Sequence, residues 1–138
     1  MDKIIPEIGV SDMERSLAFY SKLGFTKNRE GTTDDKGLQW CSLEFGDSQV
    51  WLQRSDVDPD YQPDAPKGNG VTIYLRVDDV DAAYDATKKA GLQMNILKEI
   101  ETHWYGLREF KLADPDGYVW TIYKPADEGS QESTGENV

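Results

Sequence analysis

The sequence predicts an α+β fold: two βαβββ modules that together form a curved mixed sheet with a concave ligand cleft. Three observations carry that expectation. The chain repeats itself internally, each repeat opens with a capped amphipathic helix, and each helix is followed by three strand-like runs. Neither half has enough strands to stand comfortably alone, so the two are expected to share one domain over residues 1–125.

The repeat is clearest around the helices. VSDMERSLAFYSKLGF (10–25) aligns with VDDVDAAYDATKKAGL (77–92), so that Asp12 meets Asp79 and Gly24 meets Gly91. An Asx or Ser N-cap opens each helix and a glycine closes it. Met13, Leu17, Tyr20 and Leu23, with Phe19 alongside, form the apolar stripe of the first helix; Val80, Tyr84 and Ala90 form a weaker one in the second. The strand-like runs are 26–30, 38–45 and 49–54 in the first half, and 94–100, 107–112 and 118–123 in the second. The turns echo as well, EFGDSQVW (44–51) answering LADPDGYVW (112–120). In the second turn Pro115 fixes φ, Asp114 and Asp116 can accept from backbone N–H groups, and Gly117 tolerates positive φ. Module one is thus expected over 3–54 and module two over 70–124, joined by a Pro- and Asp-rich linker or lid at 55–69. Residues 126–138, rich in Glu, Ser and Gly, read as a disordered tail.

Composition narrows the function. A net charge of −11 argues against nucleic acid and anionic membrane surfaces, and is compatible with a cationic small molecule. No run approaches the length of about 18 apolar residues that a membrane span requires. The N-terminus lacks a signal-peptide core, which points to the cytoplasm. The single cysteine, Cys41, excludes an intrachain disulfide and is expected to be a small buried hydrophobe. No nucleophile elbow or phosphate-cradling glycine loop is present, so no catalytic residue is assigned. The carboxylates of DPDG and VDDVD are read as turn-makers and helix caps.

The two motifs, VSDMERSLAFYSKLGF in the first half and LADPDGYVWT in the second, resemble those of the vicinal oxygen chelate (glyoxalase/bleomycin resistance protein/dioxygenase) superfamily over residues 3–124. That group contains metal-dependent lyases, isomerases, epimerases and dioxygenases, and also metal-free proteins that sequester antibiotics. Its metalloenzymes place His or Glu ligands at positions that correspond here to Ile5, Thr72 and Thr121, with Trp51 near the equivalent place in the first half. Isoleucine cannot ligate and threonine hydroxyls are poor ligands for a divalent ion. No metal and no cofactor is therefore expected, and the resemblance is nearest to the metal-free, bleomycin-resistance-like members.

Strand alternation puts Gly9, Gln53, Thr72 and Tyr123 on one face with the ligand-facing set, Glu7, Trp40, Ser42, Trp51, Tyr74, Arg76, Glu109, Lys111 and Thr121; Trp104 and Tyr105 stand at the rim in the loop THWYGL. The rings would stack on planar groups, and Glu7 and Glu109 would meet cations. Both carboxylates have a plainer reading, as solvated groups or partners of Arg76 or Lys111. The expected function is metal-independent sequestration of a cationic aromatic antibiotic, such as a bleomycin-type drug, or a related compound. The resemblance further implies a homodimer. Two rivals stand: a glyoxalase- or dioxygenase-type enzyme with an unorthodox metal site from Glu7, Glu109 and His103, or a binder of an unrelated metabolite.

Overall fold

The computed structural model describes residues 3–57 and 68–126. Most of the expected linker, at 58–67, and the expected tail from 127 onward lie outside the described residues. The chain divides into two compact units, Met1–Pro66 and Lys67–Val138.

In the first unit β1 (Glu7–Val10) leads into α1 (Met13–Leu23), then β2 (Thr26–Glu30), a short hairpin of β3 (Thr33–Asp34) and β4 (Gly37–Leu38), β5 (Trp40–Phe45) and β6 (Ser48–Arg54). The main sheet has the order β1-β6-β5-β2, with β1 parallel to β6 and the other pairs antiparallel. The second unit repeats the plan: β7 (Thr72–Arg76), α2 (Val80–Lys89), a 3-10 turn at Gln93–Asn95, β8 (Ile96–Thr102), β9 (Leu107–Ala113) and β10 (Val119–Pro125). Its sheet order, β7-β10-β9-β8, is the same, and β7 is parallel to β10. The βαβββ repeat is therefore present in both units.

The capping residues do what their chemistry dictates. The Asp12 carboxylate accepts from Arg15 N at 3.1 Å, and Asp79 accepts from Ala82 N at 3.0 Å. Gly24 closes α1 at φ 105°, a left-handed conformation that a side chain would strain. In the DPDG turn Asp114 Oδ1 accepts from the N–H of both Asp116 and Tyr118 at 2.9 Å, which explains why this carboxylate is buried.

Each helix covers one parity of its sheet. Met13, Ser16, Phe19 and Tyr20 of α1 are buried with Ile8, Val10, Cys41, Leu43, Val50 and Leu52. Burial pushes the Cys41 thiol up to about 11, so it is packed and protonated. In the second unit Leu75, Phe110, Leu112, Trp120 and Ile122 are buried, and Tyr84 of α2 meets Phe110 edge-on at 5.0 Å. Leu17, Leu23 and Tyr84 are half-buried, whereas the polar Ser16 and Thr87 complete the buried stripes; Thr87 returns its hydroxyl to Ala83 O at 2.8 Å.

Three details differ from the sequence reading. Ile5 precedes β1 because Pro6 has no N–H to give the ladder; Pro6 instead accepts from Trp51 N at 2.9 Å. The run 38–45 is interrupted, since Leu38 belongs to the β3–β4 hairpin, which turns at Asp35 and Lys36. The run 94–100 begins as the 3-10 turn and becomes a strand only at Ile96.

The hairpin is held by Arg54, whose side chain is buried at the end of β6. Its guanidinium grips Asp34 in a bidentate pair at 2.7 and 2.8 Å, reaches Asp56 at 3.0 Å and donates to Gly37 O at 3.1 Å. These bonds hold the Asp34 carboxyl well below the usual carboxylate range, and lower that of Asp56. A carboxylate depressed on folding adds stability above its unfolded pKa near 4, and that contribution fades as the pH falls towards the folded value. Arg54→Ala should therefore lower the urea midpoint at neutral pH, and the gap to wild type should narrow below about pH 4. Phe110→Ala, which empties a fully buried ring position, should cost about 3–5 kcal/mol in the same measurement.

Candidate functional site

The parity that α1 and α2 do not cover carries the chemistry. In the first unit, strand register sets Glu7 opposite Trp51, Trp51 opposite Ser42, and Trp40 one row along, opposite Gln53. The two indoles meet edge-to-face at 5.2 Å. Each is fixed by its ring N–H, which Trp40 donates to Glu7 Oε1 at 3.1 Å and Trp51 donates to Gln49 Oε1 at 3.0 Å. Ser42 is buried and accepts from Arg29 N at 3.1 Å. The four residues expected on this face are thus brought together, as a locked aromatic pair beside a carboxylate.

The second unit fills the corresponding positions differently. With Val10 aligned on Val77, the parallel pair Glu7–Trp51 becomes Tyr74–Thr121, and the antiparallel partners Ser42 and Trp40 become Lys111 and Glu109. The register therefore makes Trp51 the counterpart of Thr121. It also corrects the echo between the turns, because Trp120 points into the buried core and shares only a sequence likeness with Trp51. Thr121 is fully buried, and its Oγ1 lies 2.8 Å from Thr72 Oγ1 and accepts from Lys111 Nζ at 2.6 Å. The Lys111 ammonium also stands 5.7 Å from the centre of the Tyr74 ring, and Tyr74 meets Tyr123 edge-on at 5.5 Å.

Along the same face lies a second cluster. Glu109 is 2 % exposed. Its Oε2 accepts from the Tyr105 hydroxyl at 3.0 Å and faces His103 Nε2 at 3.7 Å. His103 and Tyr105 stack in parallel, 4.9 Å apart, and Trp104 meets Tyr105 edge-on at 5.5 Å. Burial, with the bond to Glu109, pushes the Tyr105 phenol up to about 12, so it remains a donor. The plainer reading of Glu109, as a solvated group or a partner of Arg76 or Lys111, does not hold: its neighbours are Tyr105 and His103. Trp104 is 85 % exposed, while Tyr105 is half-buried. Arg76 is exposed and stands opposite Tyr123. Strand alternation places Tyr123 on this face, whereas His103 lies outside the set it names. Parity with Thr121 is enough to place Tyr123, but the position of His103 depends on how its loop folds back over β9.

The residues at the family's metal positions do not suit a divalent ion. Ile5 offers no donor atom. The hydroxyls of Thr72 and Thr121 are engaged with each other, and Thr121 also holds an ammonium group where a cation would have to sit. Among the described residues no group of three or more His, Cys, Asp and Glu side chains is arranged to hold a metal.

Two successive βαβββ units, each with a helix-covered face and a face of aromatic and hydrogen-bonding side chains, define a paired-module scaffold. The chain belongs to the Glyoxalase/Bleomycin resistance protein/Dioxygenase superfamily, whose model matches residues 4–122. Among solved structures it is similar to a bleomycin-binding protein complexed with bleomycin (26% identity, TM-score 0.63, covering 90% of this chain and 98% of that one). It is similar also to a bleomycin resistance determinant encoded on the transposon Tn5 (25% identity, TM-score 0.64, covering 91% and 98%). A superfamily member from Sphaerobacter thermophilus matches at 25% identity with a TM-score of 0.70, covering 90% and 98%. No curated protein sequence matches significantly.

The threonine pair gives a direct test of the Lys111–Thr121–Thr72 arrangement. Thr121→Val keeps the shape but removes the hydroxyl that bonds both Thr72 and Lys111. It should destabilise the protein by about 1–3 kcal/mol in urea unfolding, more than Thr→Val at the exposed Thr26.

Proposed function

We propose that this chain is a metal-independent, bleomycin-resistance-like binding protein that sequesters a cationic aromatic antibiotic or a related compound, without making or breaking bonds. The observation that carries this reading is the Lys111–Thr121–Thr72 cluster. A family position that would supply a metal-binding carboxylate instead supports a fixed positive charge, which leaves the face to direct contacts between side chains and ligand. The edge-to-face indoles of Trp40 and Trp51 offer rigid ring surface for stacking. The carboxylates of Glu7 and Glu109 favour cations, and the net charge of −11 would accelerate their capture.

Likeness to a protein solved with bleomycin bound supports the choice of ligand class. The proposal includes a cytoplasmic homodimer, as the resemblance implies, with Ser42 and Arg76 completing the ligand-facing set. Among the described residues no helix is long and apolar enough to cross a membrane.

Titration with a bleomycin-type drug should quench tryptophan emission saturably, because Trp40 and Trp51 lie on the contact face. EDTA should leave the curve unchanged. A flat titration across several such antibiotics would remove the drug-specific form of the proposal, and a curve abolished by EDTA would remove its metal independence.

A further inference from the structure

The Glu109 carboxylate is half used. Oε2 accepts from Tyr105 and faces His103, but Oε1 is buried and has no hydrogen-bond partner. An ionised carboxylate has about four lone-pair directions, and leaving buried ones empty is costly. The only other buried side-chain polar atom without a partner among the described residues is the Ser16 hydroxyl, a neutral group within the α1 core.

Its surroundings indicate what would fill it. Lys111, two residues along the same face, directs its ammonium to Thr121. Tyr123 stands opposite Glu109 in the register, and the His103–Tyr105 stack, with Trp104 against it, borders the other side. A negative oxygen among ring faces suits a cation that can also give a hydrogen bond, because charge-assisted bonds are about twice as strong as neutral ones and π-faces attract positive charge. One imidazole and one carboxylate are too few ligands for a divalent metal.

We propose that Glu109 Oε1 is the docking point for an N–H-bearing cation of the ligand (a protonated amine, an amidinium or a guanidinium), so that the second unit selects such cations over quaternary ammonium groups. This rests on the small-molecule-binding reading above and adds a selection rule to it. A quaternary group carries the same charge and enjoys the same rings, but it has no hydrogen to give Oε1. Glu7 lacks this capacity for selection, since it is exposed and its Oε1 already accepts from Trp40.

The experiment compares benzylammonium with benzyltrimethylammonium by amide-detected NMR titration of the whole chain. Benzylammonium should give saturable shifts concentrated in residues 103–111, and bind about tenfold or more tightly than the quaternary probe. Glu109→Gln should abolish most of that preference. Equal affinities in the wild-type protein, or no saturable binding of benzylammonium, would overturn the inference whether or not the variant folds. A preference that survives in Glu109→Gln would overturn it too. The binding proposal fails separately: saturable bleomycin quenching with no benzylammonium selectivity removes only the Glu109 inference, and the reverse pattern removes only the antibiotic.

Discussion

Strand parity on β6 and β10 is the constraint from which both the core and the candidate site follow. Successive side chains on a strand face opposite ways, so the residues that pack under the helix leave the intervening ones on the other face. On β10 Trp120 and Ile122 are buried in the core, while Thr121 and Tyr123 lie on the site face. On β6 Val50 and Leu52 are buried in the core and Trp51 lies on the site face. A slip of one residue in β10 would bury Thr121 and Tyr123 under a helix and strip the core of Trp120 and Ile122.

The duplicated scaffold lets corresponding positions be compared for chemistry alone. The same register site is Trp51 in one unit and Thr121 in the other; its antiparallel neighbour is Ser42 or Lys111, and the next row is Trp40 or Glu109. One unit therefore presents hydrophobic ring surface held by indole N–H bonds, and the other presents a charged, hydrogen-bonded network.

Much of the scaffold was legible in the sequence because it rests on local signals. Asp12 and Asp79 cap helices through neighbours three residues away, and DPDG turns through contacts within four residues. The alternation that placed Thr121, Tyr74 and Lys111 on one face required only counting. The β3–β4 hairpin was not legible, since strands of two residues have no periodicity and this one is held by Arg54, 20 residues from Asp34. Nor was the state of Glu109 legible. A glutamate on a strand is ordinarily solvated, and its burial depends on a loop whose tyrosine and histidine fold back upon it. Ile5 was placed on a strand that Pro6 prevents from starting there.

In the proposed function side chains, not a metal, organise the ligand face. Metal analysis of protein purified without chelator tests it most directly. Nickel, zinc, iron and manganese should all lie far below one equivalent per chain. A stoichiometric amount of any of them would contradict it and restore an enzyme of the metal-dependent kind as the leading reading.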